Sequence, residues 1–168
     1  METKPIKTTH NDRYQLELAI SSEKAAYENY RDLSEIVKNE KAKRRLEEFA
    51  SEEKGHFIAL VKKYEQFFGQ RFSLDTAGRM TGPLCDALWN FLSEDEKKSP
   101  ELKIYRIIEL AIFEEKAAIT MYTRAANQTK FSELKKFFAK LAEIEKEHLN
   151  DLREEQRKAK KDAYWLKD

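Results

Sequence analysis

The chain has 168 residues, 40% hydrophobic and 38% charged, with a net charge of +1; that is enough for one core, and one domain over 1–168 is expected. Such a charge balance offers nothing to nucleic acid or to an anionic membrane. The single cysteine, Cys85, excludes an internal disulfide framework and any Cys-rich metal module. Few Gly and Pro among many Glu, Lys, Ala and Leu favour long helices, hence an all-α fold. Met1–His10 has no apolar run to act as a signal peptide. No stretch approaches the roughly 20 apolar residues of a membrane span, and a reducing, cytoplasmic setting is the expectation.

In chain order, Asn11 and Asp12 are candidate N-caps for a first helix. Its inward positions run Leu16, Ile20, Glu23, Tyr27, Tyr30, Ser34, Val37 in steps of four and three, which is one helical face. A second helix from about Glu40 to Phe68 presents Ala42, Leu46, Phe49, Glu53, His56, Leu60, Tyr64 and Phe67, and Gly69 ends it. Residues 69–99 break the period, with one short amphipathic helix expected around Leu84–Leu92. A crossover along a bundle explains so long a connection. Ser99-Pro100 opens a third helix, whose inner face is Tyr105, Ile108, Ile112, Glu115, Ile119, Tyr122 and Ala126. After a turn at Asn127–Lys130, the fourth helix gives Leu134, Phe138, Leu141, Glu145, His148 and Leu152. The tail ends in a small apolar knot, Ala163–Leu166.

The two halves repeat at one offset, 92 residues: Glu23 and Glu115, Tyr30 and Tyr122, Glu53 and Glu145, His56 and His148. Each half therefore carries a Glu on its first helix and a Glu-x-x-His on its second, all on stripes that are otherwise apolar. Residues three apart share a helix face, so each motif presents a carboxylate and an imidazole to one point. Groups of this kind cannot sit unpaired in a core. Two divalent cations would balance four carboxylates, and a carboxylate–imidazole set without thiolate suits iron or manganese. A Glu from each of two helices and a Glu-x-x-His from each of two others is the ligand layout of ferritin-like di-iron and di-manganese bundles. Tyr30 and Tyr122 read equally well as core tyrosines needing a hydrogen-bond partner. His10 reads as a solvated residue, Cys85 as a packed thiol, and Lys41–Arg45 and Arg157–Lys161 as solvated faces or a docking patch.

Over roughly residues 12–65 and 101–157 the chain resembles the rubrerythrin family of ferritin-like proteins. The resemblance implies a ferritin-like four-helix bundle with two irons per chain, or manganese or mixed occupancy. Glu53 and Glu145 would bridge the metals, His56 and His148 would bind one each, and Glu23 and Glu115 would be terminal ligands. Tyr30 and Tyr122 would hydrogen-bond to ligands beside the site. It further implies peroxide reduction in oxidative stress, with electrons from an external rubredoxin-type donor, because the four-cysteine rubredoxin domain has no counterpart here. O2-driven ferroxidase activity and iron storage are the alternatives, followed by a metal-binding scaffold without turnover. Family members also carry a glutamate one turn after the third-helix ligand, where this chain has Ala118; that argues against a metal moving between Glu and His. A homodimer is expected.

Overall fold

The computed structural model describes residues 10–37, 40–73 and 100–162. They form four helices and no strand: α1 (His10–Ile36), α2 (Glu40–Phe68), α3 (Pro100–Gln128) and α4 (Ser132–Asp162). Each is amphipathic, and the stripe residues Leu16, Ile20, Leu46, Phe49, Leu60, Ile108, Leu134, Phe138 and Leu152 are all at most 2% exposed. Tyr27, Val37, His56, Tyr105 and Ile119, expected on the same stripes, are only partly buried.

Two boundaries follow from local chemistry. α2 stops at Gly69, whose φ of 63° lies in the left-handed region and whose N–H donates to the Glu65 carbonyl at 2.9 Å. α1, by contrast, already includes His10, so Asn11 and Asp12 lie inside its first turn. Asp12 favours the helix there through its negative charge at the positive end of the macrodipole. His10 is exposed, but helical.

Side-chain bonds set the order of packing. Gln15 meets Gln128, and Asn29 meets Glu114, so α1 and α3 run antiparallel. Arg45–Asp151 and Lys63–Glu133 make α2 and α4 antiparallel, and Arg13–Tyr64 does the same for α1 and α2. α2 therefore ends beside the start of α1, while α3 begins beside its end. Those points lie roughly 40 Å apart for helices of this length, at 1.5 Å per residue. Residues 74–99, with Cys85, the helix expected near 84–92 and Ser99, lie outside the described residues, as does the 163–166 knot.

The apolar core is in two pieces. One gathers Leu16, Ile20, Leu60, Phe67, Leu134 and Phe138; the other gathers Leu46, Phe49, Ile108, Ile112, Leu149 and Leu152. Between them lies a polar layer at mid-bundle. No described helix is long and apolar enough to cross a membrane.

Candidate metal centre

The polar layer holds Glu23, Glu53, Glu115 and Glu145, each at most 4% exposed, with His148 at 7% and His56 partly buried. All six candidate metal ligands among the repeated residues converge here. Two overlapping groups form, Glu23/Glu53/His56/Glu145 and Glu53/Glu115/Glu145/His148, with ligand-type atoms within 4.8 Å of one another in each.

Glu53 and Glu145 each divide their two oxygens between the histidines. Glu53 Oε2 lies 3.1 Å from His56 Nδ1, and its Oε1 lies 3.1 Å from His148 Nδ1. Glu145 Oε1 lies 3.3 Å from His56 Nδ1, and its Oε2 lies 3.0 Å from His148 Nδ1. Glu23 Oε2 approaches only His56, at 3.5 Å, and Glu115 Oε2 only His148, at 4.0 Å. The imidazole planes lie within 20° of parallel, with centroids 5.5 Å apart. The site thus has two halves joined by two shared carboxylates.

The tyrosines cross between halves. The Tyr30 hydroxyl donates to Glu115 Oε1 at 3.0 Å, and the Tyr122 hydroxyl donates to Glu23 Oε1. Burial, then the surrounding carboxylates, pushes both phenols well above their ordinary range, so they remain protonated donors. Tyr30 stacks on Phe49 and Tyr122 on Phe138, which tie the donors to the two core clusters.

Burial is the largest influence on every ionisable ligand, and the neighbours then sort the protons. Burial alone would keep His56 and His148 neutral. The facing carboxylates of Glu145, Glu23 and Glu53 override it at His56, raising it to about 12, and those of Glu145 and Glu53 raise His148 to about 10. Burial and the charge of Glu53 raise Glu115 to about 10, and burial with the nearby Glu53 carboxylate raises Glu23. At Glu53 the neighbouring Glu23, His148 and His56, and at Glu145 the two histidines, outweigh burial and hold both carboxyls below the usual range. Without metal the site therefore holds two imidazolium ions, two carboxylates and two neutral carboxylic acids, with zero net charge.

The family model for rubrerythrin matches residues 15–156. The chain belongs to the rubrerythrin family. Comparison with curated proteins and with solved structures gives no match. Rubrerythrins are ferritin-like di-iron proteins, and the chemistry of this donor set fits such a pair. Glu23 Oε2, Glu53 Oε1, Glu145 Oε1 and His148 Nδ1 are buried without a hydrogen-bond partner, although several lie within ion-pair distance of one another. Buried polar atoms are ordinarily satisfied. Orphans that converge on one volume are arranged as ligand atoms are, and hard oxygen with imidazole nitrogen suits iron.

Three further polar residues of this rubrerythrin-family chain escape a reading based on the repeat. Asn29, 3% exposed, donates to Glu114 Oε1 at 2.9 Å beside the site, and burial raises Glu114 to about 7. Glu52 Oε2 lies 3.2 Å from His148 Nε2. Their mates at the 92-residue offset are Met121, Ser22 and Ile144. A polar residue whose repeat mate is apolar was the available signal for Asn29 and Glu52.

A cavity of about 110 Å³ opens between α1 and α3 onto Glu23, Glu53, Glu115 and Glu145. Ala25, Ala26, Ala117 and Ala118 wall it, and Phe113, 64% exposed, stands at its edge. Small side chains on both helices leave this space open.

Proposed function

We propose that this chain binds two irons through Glu23, Glu53, His56, Glu115, Glu145 and His148, and reduces hydrogen peroxide with electrons from a separate donor protein. The observation that carries the reading is the division of oxygens: Glu53 and Glu145 each face both histidines, whereas Glu23 and Glu115 each face one. That is the arrangement required of two bridging and two terminal carboxylates.

When bound, two ferrous ions would supply the two electrons that, with two protons, convert H2O2 to two waters. The protein's residues do the rest. Tyr30 and Tyr122 hold the terminal carboxylates by hydrogen bonds that cross between the halves, fixing the distance between the two ligand sets. The two apolar clusters seal the site above and below, so solvent and oxidant approach through the alanine-walled cavity. About 110 Å³ admits a few waters or a small oxidant such as hydrogen peroxide, at roughly 30 Å³ per liquid water. Ala118 on that wall puts no carboxylate one turn after Glu115, so this chain lacks the glutamate that would replace a histidine ligand from that position.

The test is metal content per chain, followed by anaerobic addition of peroxide to the ferrous form. Two irons, with oxidation faster by peroxide than by O2, supports the proposal. Faster oxidation by O2 replaces it with ferroxidase activity, many irons per chain with storage, and two irons inert to both oxidants with a scaffold.

A further inference from the structure

His56 and His148 are repeat mates, yet their outer nitrogens meet different surroundings. Both rings turn Nδ1 toward the shared carboxylates. On the far side, His148 Nε2 lies 3.2 Å from Glu52 Oε2, a carboxylate on α2 that is 48% exposed. The residue that should serve His56 in the same way, on α4, is the partly buried Ile144. Among the described residues, every carboxylate within ion-pair reach of His56 approaches Nδ1 and none approaches Nε2.

A carboxylate on the outer nitrogen of a metal-binding histidine fixes the proton there. It leaves the inner nitrogen's lone pair directed at the metal, restrains the ring, and makes the inner nitrogen a stronger donor. Loss of such a partner typically lowers metal affinity about 10- to 100-fold. Phe49 adds a second restraint on His148 alone, packing edge-on at 5.8 Å between centroids; the repeat mate of Phe49 is Leu141.

We propose that Glu52 is a positioning residue that makes the two metal positions unequal. The position at His148 is preorganised and fills first, and the position at His56 is looser and fills second. This inference rests on the ligand assignment above, but not on any particular oxidant. Repeat symmetry alone would make the two positions alike; the substitution of Ile144 for a glutamate removes that equality.

Cobalt(II) titration of the metal-free full chain, followed by its visible absorption, tests the proposal without turnover. Wild type should show two binding steps differing by at least tenfold. Glu52→Ala should weaken the tighter step about 10- to 100-fold and bring the two together, while Glu52→Asp restores part of the separation. Proton NMR of the cobalt form supplies a readout that a merely structural role would not move. One histidine Nε2–H should exchange slowly with solvent, held by Glu52, and that resonance should become fast-exchanging in Glu52→Ala. Because Glu52 is half exposed, the variant should keep the wild-type melting profile in its apo form. Two equal steps in wild type, or a Glu52→Ala titration identical to wild type, would overturn the inference and leave the ligand assignment standing. Failure of wild type to take up two cobalt ions would overturn the ligand assignment itself, and the inference with it.

Discussion

Loading two divalent cations into this site should expel four protons. In the metal-free site near pH 7, His56 and His148 are charged, at about 12 and about 10, and Glu115 and Glu23 are protonated, Glu115 at about 10. Glu53 and Glu145 are already ionised. All six groups must present lone pairs to the metals, so four protons leave as two cations enter. The same residues with ordinary values would behave differently. Two histidines at 6.5 carry about half a proton between them at pH 7, and the glutamates carry essentially none.

The expected contrast is thus four protons against about a half. Raised values mean protons compete with metal more strongly as pH falls, so affinity must rise with pH. Well below pH 10, where all four protons are still held, the overall two-metal constant should climb by about 10⁴ per pH unit. Zinc(II) avoids redox chemistry. Calorimetric titration in buffers of different ionisation enthalpy counts the protons, and pH-stat titration provides an independent count. Glu115→Gln should lower the count by one. A release close to half a proton per chain would refute this distribution of charge among the six ligands.

Tyr122→Phe and Tyr30→Phe each remove the hydroxyl that satisfies a buried carboxyl, and each should cost about 1–3 kcal/mol in urea unfolding of the apo protein; unchanged midpoints would contradict the crossed hydrogen bonds. Phe49→Ala empties a fully buried position beneath the site and should cost about 3–5 kcal/mol, measured in the same way. Ala25→Leu combined with Ala118→Leu should fill the cavity between α1 and α3. Metal content should stay at the wild-type level while oxidation of the ferrous form by peroxide slows at least tenfold, and an unchanged rate would show that the oxidant uses another route.

Much of this arrangement is legible in the sequence because helical period and repeat offset act at the same positions. A glutamate at a core position of an apolar stripe is costly alone. When Glu23, Glu53, Glu115 and Glu145 all do so at one offset, the four helices must bring them to one layer. Register between helices is a different matter, since no single helix encodes it. The crossing of Tyr30 to Glu115 and Tyr122 to Glu23 depends on α1 and α3 running antiparallel, which the side-chain pairs of the fold establish. The access cavity is equally hidden, because Ala25, Ala26, Ala117 and Ala118 are good helix formers whose small size matters only where two helices face each other. The start of α1 departs from the sequence expectation for a local reason. Asn and Asp favour caps, yet a negative Asp12 also suits a first turn.

The protonation pattern also bears on why the fold tolerates its own metal site. Four buried carboxylates suggest mutual repulsion once the metals are removed, but the apo site is neutral through its protons, and so it can fold before metal arrives. At about pH 8 the folded apo chain holds protons on His56, His148, Glu115 and Glu23 that the unfolded chain, with ordinary glutamates and histidines, has released. Stability rises with pH only where the unfolded state binds more protons, so here apo stability must fall as pH rises, by about 1.4 kcal/mol per proton per pH unit at most. The separate contributions have consistent signs. His56 and His148, raised, stabilise most at low pH and lose that contribution toward their folded values, while Glu23 and Glu115, held neutral, cost more as pH climbs above the ordinary glutamate value. The metal-loaded chain has released those same protons, so its folding carries no such proton difference, and tightening metal affinity offsets the apo loss. Urea midpoints from pH 7 to 9 should therefore fall steeply for the apo protein and stay nearly level with saturating zinc(II). An apo midpoint that is flat or rising across that window would show that the buried glutamates are ionised, and that something other than protons holds the empty site together.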